Sequence, residues 1–211
     1  MKSSDVTLHI LYGVPCVGKS TAALSLAFHL GIRTVIHTDY VREVQRGFVS
    51  PEDAPALMKV THNAWELRGA YPTPENIAKG FVDHVTEVAT GVGLVVNKVV
   101  RDGFDAVVEG AHFNGAVIKE LRAANADASI RATLLVTETA DELIARISSK
   151  EANRAHGAER KQWRESVPII LALQDYLIAD ARNHDIQIAT TEEWTKSWLE
   201  PATFFTTSTM S

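Results

Sequence analysis

At 211 residues with 45 % hydrophobic side chains, the chain can bury one substantial core with room for a small insertion, without disulfides or a structural metal. Its 21 Lys and Arg against 26 Asp and Glu give a formal net charge of −5, which argues against a large nucleic-acid footprint but leaves room for a local basic groove. Cys16 is the only cysteine, which excludes an intrachain disulfide, and the start Met1-Lys2-Ser3-Ser4-Asp5 carries no apolar leader. The longest nearly uncharged apolar run, residues 22–32, is too short to cross a bilayer and contains His29, so a reducing, cytoplasmic setting with no membrane contact is expected.

Taken in chain order, residues 5–12 read as a strand, and residues 20–30 read as a helix closed by Gly31. Between them, Gly13-Val14-Pro15-Cys16-Val17-Gly18-Lys19-Ser20-Thr21 has the spacing of a Walker A phosphate loop, in the required order of strand, glycine loop and helix N-terminus. Each part has a separate job. The glycine-rich turn lets backbone N–H groups crowd around phosphate oxygens, Lys19 supplies a point charge to the outer phosphates, and Ser20 offers a hydroxyl to Mg²⁺. Cys16, beside a lysine and a helix N-terminus, is either an activated thiol or a small loop filler.

Residues 33–37 alternate into a second strand, and the chain turns at Thr38-Asp39 into a helix over 40–47. The pattern over 50–68 reads as a helix started by Pro51 and broken by Tyr71-Pro72-Thr73-Pro74. Over 75–101, Ile77, Phe81, Val85, Val88, Val92, Val95 and Val99 recur at helical spacing, so the many valines predict a long helix rather than a strand. Strands follow at 105–109 and 128–136, with a helix between them at 114–124. Thr139-Ala140-Asp141-Glu142 is a capping box that opens a helix through Ile147.

Residues 148–164 lose hydrophobic periodicity and, with Arg146 just before them, carry Arg154, Arg160, Lys161 and Arg164, the composition expected of a mobile lid over phosphates. A helix over 167–182, a strand over 185–189 and a helix over 191–199 complete the pattern. Strands alternating with helices imply an α/β fold: a mostly parallel, five-stranded sheet with helices on both faces and an arginine-rich lid. Residues 1–200 are expected to form one domain with its lid at about 148–164. The Thr- and Ser-rich tail 201–211 is expected to order only where Phe204 and Phe205 meet a surface.

Phosphoryl transfer asks a protein mainly to position an in-line hydroxyl and to neutralise charge, and the candidate residues are sorted by those needs. Asp39 lies just past the C-terminal end of the second strand, the edge where open parallel sheets bind ligands; it either accepts the proton of an acceptor hydroxyl or caps the helix that follows. Arg42 and Arg46 share one helix face near it, able to grip an anionic acceptor or simply to pair with Glu43 in solvent. Glu109, ending an apolar strand, is a candidate for holding Mg²⁺ through water or for touching the acceptor. Gly110 permits close backbone approach, and His112 either reaches substrate or sits satisfied in its loop. Arg146, Arg154 and Arg160 are candidates for closing over a triphosphate, with Arg146 placed on the nucleotide and Arg154 among the catalytic groups; spacing does not choose between them.

With these residues in hand, the chain resembles the 2-phosphoglycerate kinase family of small P-loop kinases, from the phosphate loop to about Ala189. Besides the Walker motif, Thr38-Asp39-Tyr40-Val41-Arg42-Glu43 is similar to the family's Thr-Asp-x-(Ile/Val)-Arg-Glu segment, Glu109-Gly110-Ala111-His112 to its Glu-Gly-x-His segment, and Gln174-Asp175-Tyr176-Leu177 to a third. The resemblance implies a P-loop NTPase fold of the nucleoside-monophosphate-kinase type, ATP and Mg²⁺ as cofactors, and a small anionic phosphate acceptor akin to 2-phosphoglycerate. Three departures bear on the acceptor: Thr61-His62-Asn63-Ala64-Trp65 stands where paired serines are usual, Phe113-Asn114-Gly115 lacks a proline, and Leu171 replaces an arginine. His62 and Asn63 thereby become candidates for the acceptor pocket. The departures keep a second reading open, a kinase of a nucleotide or of a modified base in DNA, and a third is a nucleotide-binding regulator without turnover. Retention of Lys19, Ser20, Asp39 and Glu109 argues against the third.

Overall fold

A computed structural model describes residues 6–153 and 163–199. Five strands, β1 (Thr7–Tyr12), β2 (Thr34–His37), β3 (Ala106–Gly110), β4 (Ser129–Val136) and β5 (Gln187–Thr190), pair in parallel in the order β2-β3-β1-β4-β5. The central strands β1 and β3 are buried almost throughout, which is why both read as continuous apolar runs rather than alternating ones. Helices α1 (Lys19–Leu30), α2 (Thr38–Arg46), α4 (Pro74–Asp102), α5 (Gly115–Ala124), α6 (Ala140–Ala152), α7 (Val167–Asn183) and α8 (Thr191–Leu199) connect and cover the strands, and a short helix α3 (Pro55–Met58) lies before α4.

Because every strand is parallel, all five C-terminal ends meet one edge, and the chain leaves β1 toward β3 and β2 on one side and β4 and β5 on the other. This reversal beside β1 is where a ligand crevice is expected in an open α/β sheet. Leu8, Ile10, Val107, Val108, Leu134 and Leu135 form the wholly buried middle of the core, and α4 closes it with Phe81, Val85, Val88 and Val96. The valine-rich stretch is thus helical, as its spacing predicts. Thr73 caps α4 by accepting from the Asn76 amide, and Pro74 takes the first turn, where no N–H is needed.

Two expectations fail. The helix predicted over 50–68 is instead a turn, the single-turn helix α3 and a 3-10 turn at Ala64–Leu67. Pro55 would have stood inside the longer helix, where it removes an N–H and clashes with the preceding turn; here it occupies the start of α3. The helix predicted to stop at Ile147 runs on to Ala152, so the first residues of the supposed lid are a further turn of α6. Arg154, Arg160 and Lys161 lie outside the described residues, as does the tail from Pro201. Among the described residues no helix is long and apolar enough to cross a membrane.

Candidate functional site

The loop between β1 and α1 is shaped by unusual backbone angles: Gly13 at φ 150°, Cys16 at 69° and Gly18 at 97°. A side chain at Gly18 would also meet the Arg146 guanidinium at 2.8 Å. The loop therefore turns tightly enough to present its amides, and the N-terminus of α1, to one point. Lys19 Nζ donates to the Val14 carbonyl at 2.9 Å across the loop. Burial pulls its ammonium below its ordinary pKa, while the carboxylates of Glu109 and Asp39 act to hold it up.

Arg146, on α6, is tied rather than free to swing: Nη1 donates to the Val17 carbonyl at 3.0 Å, Nε to Glu142 at 2.8 Å and Nη2 to Glu192 at 2.6 Å. Thr191, at the start of α8, donates its hydroxyl to the same Val17 carbonyl. A cavity of about 510 Å³ opens in front of this frame, lined by Gly18, Ser20, Thr21, Arg146, Ser149 and Lys150 among others. Its floor of loop amides and its cationic wall fit a polyphosphate.

At the neighbouring strand ends, β2 and β3 set His37 beside Glu109 in register. Glu109 accepts from the Ser20 hydroxyl at 2.9 Å and from His37 Nδ1 at 2.5 Å, and is itself buried. The Ser20 hydroxyl and Glu109 carboxylate are hard oxygen donors side by side, a donor set suited to Mg²⁺, which keeps most of its shell as water and phosphate oxygen. Among the described residues, no group of three or more His, Cys, Asp or Glu could hold a metal by itself.

A second, smaller cavity of about 90 Å³ adjoins the first and is lined by Lys19, Ser20, Asp39, Arg42, His62, Glu109, Lys150 and Trp163, with Thr61 and Ala111. Arg42 reaches it from α2, buried and anchored through Nε to the Leu57 carbonyl at 3.0 Å. Among the described residues its Nη groups have no hydrogen-bond partner. Burial, then the neighbouring Arg46, lowers the guanidinium's pKa without threatening its charge. Asp39, in the first turn of α2, is the exposed carboxylate of the pocket. It does not cap the helix: the cap position is His37, and no side chain bonds the first amides.

Other candidates are placed elsewhere. Arg46 points along the surface into an ion pair with Glu43 at 2.7 Å and does not line the cavity. His112 does not line it either; its ring is wholly buried behind Thr38, whose hydroxyl lies 2.6 Å from Nδ1. His84 of α4 packs against it with ring centroids 5.0 Å apart. Of the three departures from the family pattern, one faces the pocket, through Thr61 and His62. In the second, Phe113 packs on Tyr12 and Asn114 caps α5 by accepting from the Val117 amide; in the third, Leu171 lies against the core. Gln174, in the third family-like segment, clamps the end of β4 by bonding both the N–H and the carbonyl of Thr137, at 2.9 and 3.0 Å.

Sequence reasoning missed Lys150, which lines both cavities and holds its ammonium 4.8 Å from the Trp163 ring centroid. Its charge lowers the pKa of Lys19. The usable signal was the capping-box helix itself: continued past Ile147, it places Lys150 one turn after Arg146.

No family model matches the sequence. The 2-phosphoglycerate kinase of Pyrococcus furiosus is 36 % identical over 195 residues, covering 91 % of this chain and 62 % of that protein. That of Pyrococcus horikoshii is 34 % identical over 189 residues, covering 89 % and 60 %. The chain thus spans about six tenths of the length of the curated relatives it matches. Among solved structures, a sugar kinase from Janibacter sp. HTCC2649 superposes with a TM-score of 0.50 at 15 % identity, covering 94 % of this chain and 96 % of that one, which shows the shared fold.

Proposed function

We propose that this relative of 2-phosphoglycerate kinases is a Mg²⁺·ATP-dependent phosphotransferase, moving the γ-phosphoryl group to a hydroxyl of a small anionic metabolite of the 2-phosphoglycerate kind. One observation carries the reading. The phosphate loop and a smaller adjoining cavity share Lys19 and Ser20 at a single strand edge, and that cavity carries both a carboxylate and guanidinium nitrogens that have no hydrogen-bond partner among the described residues.

The loop amides and Lys19 bind and orient the triphosphate, and Arg146, in the wall of the same cavity, keeps the loop in shape through the Val17 carbonyl. Ser20 and Glu109 hold the metal ion, which when bound neutralises charge on the phosphate oxygens. Arg42 and Lys150 attract the acceptor's anionic groups, Arg42 with a fork suited to a carboxylate or phosphate. Asp39 takes the proton from the acceptor hydroxyl and so fixes which oxygen attacks. The two cations that line the cavity, Arg42 and Lys150, favour an anionic acid over a neutral nucleobase.

The test is to follow label from γ-labelled ATP, with Mg²⁺, into a panel of hydroxy acids, phosphorylated acids, nucleosides and modified or unmodified DNA. Label is expected on a phosphoglycerate-like acid; label on DNA or a nucleoside would reassign the acceptor. Lys19→Ala should abolish transfer with the fold intact, and Asp39→Asn should lower kcat far more than ATP affinity. Transfer surviving in Lys19→Ala would remove the phosphate loop from the mechanism.

A further inference from the structure

Behind the acceptor cavity lies a buried polar cluster that the reading above leaves unused. His112 is wholly buried, as is Thr38, and the Thr38 hydroxyl sits 2.6 Å from His112 Nδ1. This approach depends on Gly110, where a Cβ would lie 1.7 Å from the Thr38 hydroxyl oxygen. On the far side of the ring, Nε2 has no hydrogen-bond partner among the described residues and lies 3.9 Å from Asp39 Oδ1. A buried ring nitrogen without a partner is costly, and among the described residues the one carboxylate in ion-pair range of it is the group assigned to take the acceptor's proton.

We infer that Thr38, His112 and Asp39 form a hydrogen-bond relay, in which the Thr38 hydroxyl donates to Nδ1 of His112 and Nε2–H of His112 is the donor that aims the Asp39 carboxylate at the acceptor. His112 is then a positioning residue, and its effect on transfer rests on the phosphotransferase reading. A carboxylate only accepts, so a bare Nε2 lone pair facing Asp39 would be repelled. With Nε2 protonated on a neutral ring, Nδ1 is an acceptor, and the Thr38 hydroxyl supplies its proton. Burial keeps the ring neutral, with the adjacent His84 acting in the same direction.

His84 does not compete for this bond. Its Nδ1 is fixed as a donor to the Ala56 carbonyl at 2.8 Å, and its Nε2, like that of His112, has no partner among the described residues, so the two are not bonded to each other. With Asp39 Oδ1 3.9 Å from Nε2, the relay requires this carboxylate, whose side chain is 74 % exposed, to approach by about 1 Å. A neutral donor holds that oxygen without removing the negative charge that makes the carboxylate a base.

Two readouts test the relay. Long-range ¹H–¹⁵N spectra of the histidine-labelled chain, with His112 assigned by its loss in His112→Gln, should show the Nε2–H tautomer; the Nδ1–H tautomer would overturn the relay whether or not the chain transfers phosphate. In kinetics, His112→Asn and Thr38→Val should each lower kcat about 10- to 100-fold, the range for a hydrogen bond to a charged group, with KM for ATP little changed. Thr38→Ser should stay near wild type. In an Asp39→Asn background, His112→Asn should cost nothing further. An equal loss in that background, or Thr38→Val at the wild-type rate, would refute positioning through Asp39. A wild-type chain that labels no acceptor would instead refute the phosphotransferase reading, leaving the tautomer to decide the relay.

Discussion

Acidification from pH 7 to pH 5 should destabilise the folded chain through His84 and His112. Burial lowers the His84 pKa to about 4, with Arg42 pushing the same way and the Ala56 carbonyl and Asp39 opposing; burial and His84 lower that of His112 to about 3. In the unfolded chain both return to about 6.5. Between these values the unfolded state binds protons that the folded state refuses, so stability is full above about pH 6.5 and falls as pH drops toward the folded pKa values. At pH 5 each histidine is 1.5 units below its unfolded pKa, which is worth about 2 kcal/mol, or about 4 kcal/mol for the pair. A typical domain has only about 5–15 kcal/mol in all, so the loss is large. The assay is urea unfolding followed by tryptophan fluorescence at steps from pH 5 to 7, in wild type and His84→Gln, whose amide can still donate to the Ala56 carbonyl. The variant should lose about one proton from the slope of stability against pH below 6, other titrating groups being common to both. Identical slopes would refute the claim that His84 folds in its neutral form.

Gly80 packs its bare Cα against the 3-10 turn that follows His62, where a Cβ would meet the Ala64 carbonyl oxygen at 2.4 Å and the Trp65 nitrogen at 2.6 Å. Gly80→Ala should therefore cost about 1–3 kcal/mol of stability and raise KM for the acceptor more than for ATP, as read by thermal melts and initial rates. Lys150→Met keeps the bulk of the stem but removes the charge between the two cavities; it should raise KM for both substrates and lower kcat, and an effect on ATP alone would take Lys150 out of the acceptor pocket.

The phosphate loop was legible because its chemistry is local: glycine positions, a lysine and a hydroxyl at fixed spacing between a strand and a helix. The long α4 was legible for a similar reason, since the period of its valines outweighs their strand propensity. Strand order was not, because a crossover helix does not record which neighbour the next strand will join. For the same reason, nothing in the sequence brings Thr38 and His112 together across 74 positions; the pairing of β2 with β3 does that. Pro55 was the readable warning against a helix over 50–68. Arg46 and Lys150 show the opposite difficulty. Both look like solvated cations on helix faces, and only the position of each helix relative to the strand ends separates the ion pair from the pocket wall.

Val17, the last residue before Gly18, receives hydrogen bonds from Arg146 and from Thr191, the latter 174 positions further along the chain. During synthesis the phosphate loop therefore emerges early but gains this support late, once the last strand and its helix have docked. Until then the chain holds the correct binding motif without the frame that shapes it. Ligand affinity should accordingly report on completion of the whole sheet, and lesions in α8, remote from any phosphate, should act on nucleotide binding as if they lay in the loop itself.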